Sequence, residues 1–270
     1  MSIPSTTSPP RSPAIILPSP LLIARMTVAV LFVAAWLAAA RAYPTLIATP
    51  QATLGRMIEL FASRDLFPMV ATTAGEALMG LCLGAGLGVT LPFVVHMSAR
   101  LQAVAEPFAR AAVGIPKLAL SPILILWFGI GLEAKVVLVA LMTFFLVFVA
   151  TAAGIRSIGQ NLINTVSIFG AGKLEIAREV IWNSVQPFVW TALRAALPWA
   201  INAALVGEFL AAENGVGHYI EQSYNSVDIA GVYAGIFLIV ILVFASDAAL
   251  MALQRRCLAW RPLDRDTVLH

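Results

Sequence analysis

The stretch Gly170-Ala171-Gly172-Lys173 is built from residue types that cradle phosphate. A phosphate loop reads Gly, four residues, then Gly-Lys-Ser/Thr, so that backbone amides and the lysine face the phosphates. In that frame Ser167 stands where the first glycine belongs and Leu174 where the hydroxyl belongs, and no strand pattern precedes them. Nucleotide chemistry is therefore not encoded there. A second group of candidates is the ionisable side chains inside apolar runs: Glu76, Arg110, Lys117, Arg194, Glu208 and Asp247. A charge at the bilayer centre costs about 2.5–3.5 kcal/mol on insertion scales, so each needs a partner, a route to the interface or a function. Arg110, Arg194 and Asp247 read as snorkelling side chains or structural pairs. Glu208 reads either as lining a translocation path or as a helix-to-helix hydrogen bond. Lys117 follows Pro116, where a broken span exposes backbone to a cavity, and is the cation to test if the cargo is an anion.

Metal and redox chemistry find no support. His96, His218 and His270 are far apart, and no His-Glu-x-x-His or Asp-rich run occurs. Cys82 lies inside an apolar run and Cys257 follows the last one, with no metal-ligand company and no sign of a bridge. No cofactor and no nucleic-acid partner is expected; the formal charge of +3 itself says little about partners.

The elements that would position these residues are read from composition first. The chain has 270 residues, 60% apolar and 11% charged, with mean hydropathy +0.89. Soluble domains average about half apolar and a quarter charged. The excess falls in runs of about twenty residues, the length that spans a bilayer as helix. The expected fold is all-α: a polytopic membrane protein with six transmembrane helices and a cytoplasmic helical hairpin. Residues 1–20, rich in Pro and Ser, read as a disordered tail. Residues 21–68 hold the first span, about Leu21–Ala42, and an amphipathic segment with Leu54, Met57, Ile58 and Phe61 opposite Arg56 and Glu59. Ala40-Arg41-Ala42 resembles a signal-peptidase site, and the long polar leader favours an uncleaved span.

Residues 69–255 form the core. The second span, about Met69–Val95, carries Gly75, Gly80, Gly84, Gly86 and Gly88, small residues that let helices approach closely. The third, about Ala103–Phe128, is interrupted by Pro107, Pro116 and Pro122. The fourth is about Ala134–Ile155, the fifth Pro187–Ala211 and the sixth Ile229–Leu253. Residues 256–270 are a basic tail. Lys and Arg near the spans set orientation. With the N-terminus inside, Arg11, Arg25, Arg100, Arg156, Lys173, Arg178, Arg255, Arg256, Arg261 and Arg265 are cytoplasmic, against Arg41, Arg56, Arg64 and Lys135 outside. Both termini are therefore expected inside, in a bacterial inner membrane and in contact with its lipid.

The polar segment 156–186 is far longer than a connector needs. Leu174, Ala177, Val180, Ile181 and Val185 share a helical stripe, while Glu175 and Arg178 are spaced to pair at i,i+3. Gly170 and Gly172 break the run, which predicts two short helices over about 160–169 and 174–182. This is either a solvated connector or a docking element for a soluble partner.

At this point the sequence resembles a family. The segment is similar to the cytoplasmic signature of binding-protein-dependent ABC importer permeases: Glu-Ala-Ala, three residues, Gly, nine residues, Ile, one residue, Leu-Pro. Gly170 falls on the family glycine and Val180 on the Ile, while Asn164, Thr165 and Val166 replace Glu-Ala-Ala and Trp182-Asn183 replaces Leu-Pro. Around it, "EPFARAAVGIPKLALSP", "PILILWFGIG", "AGIRSI" and "GEFLAAENGVGHYI" resemble the nitrate/sulfonate/taurine-type permeases. The resemblance covers roughly residues 48–255. It implies a dimer of permeases, a cytoplasmic ATPase pair and an extracytoplasmic binding protein, with no ATP site in the permease itself. It implies that 164–185 is the coupling segment, with Gly170, Gly172, Lys173, Leu174, Glu175, Ala177, Arg178 and Val180 at the ATPase contact. Glu208 and Lys117 become candidates for the path, and the outward loop residues Glu213, Asn214, Gly215 and Gly217 for the binding-protein contact or a plain turn. The implied function is a permease for a small, anionic solute. A self-contained secondary transporter is the alternative, but it predicts an internal repeat and mid-membrane coupling carboxylates, neither of which is evident. An intramembrane enzyme lacks a catalytic constellation.

Overall fold

The structure, a computed structural model, describes residues 20–211 and 214–259. The tail expected at 1–19, and Glu213, Arg261, Arg265 and His270, lie outside the described residues. The chain divides into two compact units, residues 1–50 and 51–270. In the first, α1 (Pro20–Ala42) is a single apolar helix, and the Trp36 indole donates to the Ala48 carbonyl at 3.0 Å.

The second unit opens with α2 (Pro50–Ala62), the short amphipathic helix expected from the leucine and methionine spacing. Then follow α3 (Leu66–His96), α4 (Ala99–Val113), a 3₁₀ turn at Lys117–Leu120, α5 (Ser121–Phe128), α6 (Leu132–Arg156) and α7 (Gln160–Ile168). One turn of α8 (Lys173–Glu175) runs through a π-helical stretch, Ile176–Trp182, into α9 (Asn183–Ala211). The chain closes with α10 (Val216–Asn225) and α11 (Ile229–Cys257). Among the described residues five helices are long and apolar enough to cross a membrane. The α4 and 3₁₀–α5 pair, bent by 88°, makes a sixth if counted as one broken span.

The core is α3 on α6 on α9, with α10 and α11 against α9. Its side chains are small: Ala77, Leu81 and Ala85 of α3, Leu138, Val139 and Val147 of α6, Ala196, Ala200 and Ala204 of α9. With lipid as solvent, packing and hydrogen bonds hold such helices together rather than water exclusion, so close approach matters. Gly80, Gly84 and Gly88 lie one turn apart against α6, and a Cβ on Gly84 would run into Thr143 and the Ala140 backbone. Gly75 and Gly86 face open space, so they belong to the other side of α3.

Two expectations are corrected. Of the prolines expected to interrupt the third span, only Pro116 sits at a break. Pro107 lies inside α4 and Pro122 at the start of α5, just as Pro92, Pro187 and Pro198 lie inside α3 and α9. Helices tolerate such prolines in a membrane when neighbouring groups take up the freed carbonyls. The second hairpin helix is also not a separate piece. It continues into the fifth span, so the continuous helical run begins near Ile176 rather than Pro187.

Candidate functional site

The helices of the second unit define two ends. At one, α3 and α6 finish, α7 turns and α9 begins. At the other, α10, α2 and the start of α11 meet. Each end is tied by buried polar contacts, and between them α4 and α5 are broken.

At the hairpin end, Glu106 of α4 is buried. Its Oε1 receives Arg156 Nη1 of α6 at 2.5 Å and lies 3.3 Å from His96 Nε2 of α3, while Arg110 is 3.8 Å from Oε2. One carboxylate thus joins three helices. Arg194 of α9 binds Asp247 of α11 through two nitrogens at 3.0 and 3.1 Å, a bidentate fork. These are structural pairs, as expected for Arg110, Arg194 and Asp247.

The opposite end holds a joint built on Glu208, in the second of the two ways open to it, a helix-to-helix hydrogen bond. Glu208 is 0% exposed. Thr73 of α3 donates its hydroxyl to Oε1 at 2.6 Å and accepts from the Val216 amide at 2.9 Å, while the Gly217 amide donates to Oε2 at 2.6 Å. Val216 and Gly217 open α10, so a carboxylate on α9 satisfies the orphan amides of another helix, where negative charge also suits the dipole. Gly215 before them has φ +120, and a Cβ there would strike the Glu208 carboxyl. Only glycine suits that place. Beside this joint Lys135 of α6 donates to Glu76 of α3 at 2.5 Å, both buried. Lys135, expected in an outside loop, is instead in the first turn of α6. Its partner stands 59 residues away, a separation that no local pattern reveals.

Above this joint Arg56 of α2 grips Asp228 with Nε at 3.1 Å and Nη2 at 2.8 Å, and binds Glu59 at 2.8 Å. Glu59 first, then Asp228, hold the guanidinium's pKa above its ordinary value. Asp228 also caps α11 by accepting from the Gly231 amide at 2.9 Å. A cleft of about 640 Å³ opens here, lined by Arg56, Glu59, Asp65, Asn214 and His218 among others. Of the loop residues singled out, Asn214 is exposed on this cleft and Gly215, though buried, also lines it, whereas Gly217 is buried behind them.

The hairpin turns at Gly170, φ +90, with the Gly170 amide donating to Ser167 O at 3.0 Å. Phe169 and Leu174 flank the turn at 85% and 83% exposure, and Ile168 is equally bare. The straight stripe expected from Leu174 to Val185 is not kept. Ile176 and Val185 are buried, Ala177, Val180 and Ile181 are half-buried, and Leu174 points out. The π-helical stretch adds residues per turn and rotates the register. For the same reason Arg178 stands 3.6 Å from Glu179 rather than pairing with Glu175. Trp182 packs on Phe93 of α3 with centroids 6.3 Å apart, which seats the second arm.

Between the ends, Lys117 is 7% exposed. Its ammonium donates to the Val113 and Ile115 carbonyls at 3.1 and 3.5 Å, and lies 5.4 Å from the Phe145 ring centroid.

The helical core, with helices long and apolar enough to cross a membrane, is tied by buried polar contacts at both ends and broken between them. Comparison with known proteins gives this core its family. Residues 80–258 match the family model "Binding-protein-dependent transport system inner membrane component". The formylaminopyrimidine transport permease protein ThiX of Halalkalibacterium halodurans is 33% identical over 218 residues, which cover 81% of this chain and 87% of that one. The putative aliphatic sulfonates transport permease protein SsuC of Bacillus subtilis is 29% identical over 80% of this chain and 79% of its own. The taurine transport system permease protein TauC of Escherichia coli is 27% identical over 80% and 81%. In fold, the chain is similar to a solved inward-facing structure of the MetNI methionine ABC transporter, with TM-score 0.53 and 21% identity, over 73% of this chain and 97% of that one. The chain belongs to the binding-protein-dependent transport system inner-membrane components. It is a multi-pass inner-membrane permease subunit of an ABC importer, and such subunits carry no ATP site of their own.

Proposed function

We propose that the chain forms, with a second permease copy, the path for a small anionic solute, and that a soluble ATPase drives it through residues 164–185. The observation that carries the coupling role is the bare apolar knuckle of Ile168, Phe169 and Leu174 at the tip of a polar hairpin. Three large apolar side chains held together in water gain free energy only on docking. Gly170 and Gly172 form the turn beneath this knuckle, Lys173 opens the second arm, and Glu175 and Arg178 are exposed at its rim, with Ala177 and Val180 half-buried behind.

The Lys and Arg bias supports a cytoplasmic position for this hairpin and both termini. The cleft at the other end then faces outward, and we assign the binding-protein contact to Asn214 on its rim and to Glu213, its neighbour in sequence, with Gly215 and Gly217 as the support. Lys117 and Glu208 bracket the path, the first as its midplane cation and the second as the fixed joint of its outer end. An anionic cargo accords with relatives named for aliphatic sulfonates and taurine. In this reading the core 69–255 is the transporting body, 21–68 adds a first span with an external amphipathic segment, and 256–270 is a basic cytoplasmic tail.

The test is Leu174→Asp. Leu174 is exposed, so the variant should insert and fold as wild type while co-purified ATPase falls at least tenfold, the effect of about 1.4 kcal/mol of lost docking energy. Full ATPase recovery and normal uptake with Leu174→Asp would remove the hairpin from the coupling role.

A further inference from the structure

The joint beneath α10 gathers three buried ionisable groups. Glu76 of α3, Lys135 of α6 and Glu208 of α9 are 3%, 8% and 0% exposed. Glu76 follows Thr73 by one turn of α3, so both reach the Glu208 side chain. The Glu76 carboxyl lies within hydrogen-bonding reach of the Glu208 carboxyl. Lys135 serves only one of the two. Its ammonium donates to Glu76 Oε1, and its stem lies against Gly207.

Two features do not fit a pair of ionised carboxylates. The first is charge. Two carboxylates and one ammonium leave a negative charge out of water, and the amides that open α10 offset only about half a unit of it. Other charged groups on the surrounding elements are engaged or in solvent. Arg56 of α2 is held by Glu59 and Asp228, His218 of α10 stands beside Glu221, and Arg64, Asp65 and Glu133 are exposed. The second is geometry. Ionised carboxylate oxygens only accept, so two of them at contact repel. Yet Glu76 Oε2 is buried and meets no donor, because the Thr73 hydroxyl and the Gly217 amide both go to Glu208.

We propose that this joint is a proton-binding site, in which Glu76 Oε2 holds a proton and donates it to the Glu208 carboxylate. The bonds then run in one direction. The Lys135 ammonium donates to Glu76 Oε1, the Glu76 carboxyl donates to Glu208, and Glu208 also accepts from Thr73 and the Gly217 amide. A carboxylate has about four lone-pair positions, so Glu208 has room for the third donor. The joint becomes electrically neutral, and Glu208 remains the anion that caps α10. Two carboxylates in one buried place share a proton for the same reason. A metal ion is a poorer occupant. Lys135 already stands where a cation would, and the hollow beside it and Gly207 measures about 10 Å³, room for at most one water. The inference concerns the seating of α10 and stands whatever the cargo or the partner subunits are.

The bound proton makes that seating pH-dependent. When α10 lifts, water reaches both carboxylates, and above about pH 6 a solvated glutamate is ionised. Opening then releases one proton. Raising the pH therefore favours the open state, by about tenfold per pH unit while the seated form keeps its proton. Glu76→Gln copies the protonated acid. Its carbonyl accepts from Lys135 and its amide donates to Glu208, with no proton to release.

Two measurements on the full chain in dodecyl maltoside micelles test this. In infrared difference spectra at neutral pH, wild type should show the carbonyl stretch of a protonated carboxyl, shifted by deuteration and missing from Glu76→Gln. It should be missing from Glu208→Gln too, because Glu76 then pairs with Lys135 as an anion. Absence of the band in wild type, or its survival in either variant, overturns the proposal. In hydrogen exchange above about pH 6, the opening constant of peptides spanning 214–225 should rise more steeply in wild type than in Glu76→Gln, by about tenfold per pH unit. His218 and Glu221 are present in both proteins, so only the joint separates them. Equal pH slopes overturn the proposal. The Glu208→Gln spectrum decides the matter if Glu76→Gln does not fold.

Discussion

Replacing Glu208 should release α10 from the core while leaving the spans packed. In the native joint the Gly217 amide donates to Oε2, and the Val216 amide is relayed through the Thr73 hydroxyl to Oε1. All four groups are buried. Glu208→Ala removes both acceptors, leaves the Gly217 amide without a partner and gives the Thr73 hydroxyl only the longer bond to the Met69 carbonyl. Hydrogen bonds to a charged group contribute about 1.5–3 kcal/mol each. The joint should therefore lose about 3–5 kcal/mol, at the upper end because no water reaches it. Glu208→Gln behaves differently. Its carbonyl can accept from Gly217, its amide can donate to Thr73, and the Thr73 hydroxyl can swing to the Met69 carbonyl, 3.4 Å away. That rearrangement keeps every donor occupied by a longer bond, so the loss should be about 1 kcal/mol. Hydrogen exchange resolves the two, since α10 opens locally and 1.4 kcal/mol is about a tenfold change in opening. Peptides spanning 214–225 should exchange at least 100-fold faster in Glu208→Ala and about tenfold or less in Glu208→Gln, while peptides of α6 stay protected. Native-like protection of α10 in Glu208→Ala would refute the capping role, and so would equal exposure in the alanine and glutamine variants.

Two further outcomes follow from the packing. Gly84→Ala should destabilise the inserted protein by about 1–3 kcal/mol in denaturant titration from mixed micelles, because its Cβ meets Thr143 and the Ala140 backbone and α3 must part from α6. Gly86→Ala meets nothing within 4 Å and should be neutral or raise stability by up to about 1 kcal/mol through helix propensity; equal behaviour of the pair would disprove the α3–α6 contact. At the hairpin end, Glu106→Ala leaves Arg156 and His96 facing each other without a carboxylate. A buried pair broken this way loses about 3–5 kcal/mol, which partial exposure of Arg156 reduces to about 1–3. Arg110→Ala, on the exposed side, should change stability by less than about 0.5 kcal/mol in the same titration. A larger effect from Arg110 than from Glu106 would reverse the assignment.

The spans were legible because a bilayer demands long apolar helices, and the length of those runs decides them. The glycine row of α3 was legible as composition but not as phase. Five glycines signal close approach, yet only Gly80, Gly84 and Gly88 face a partner, and the partner's place is not written in α3. The hairpin bend was legible from Gly170, whose positive φ suits glycine. The register of its second arm was not, since a π-helical stretch widens the helix without any change in hydropathy. The buried joints were least legible. Glu76 and Lys135 read as residues near the outer ends of separate spans with nothing to pair them, and Glu208 read equally as a path residue or as a helix-to-helix hydrogen bond. Each finds its partner through tertiary contact, between 9 and 135 residues away for Glu208.

Lys117 shows where hydropathy and local chemistry must be read together. By hydropathy alone Pro116 and Lys117 are two faults in one span, and each should weaken it. In the structure each makes the other tolerable. Before the proline α4 ends, and the lysine that follows takes the Val113 carbonyl with its ammonium at 3.1 Å and shares the Ile115 carbonyl, which its own backbone amide already holds at 2.8 Å. A lysine without the break would have only helix walls around it, and the break without a lysine would leave bare carbonyls. The pairing stops short of neutrality, because carbonyls carry no net charge. The Lys117 amine is thus held at mid-membrane beside an apolar cleft by backbone carbonyls of its own broken span.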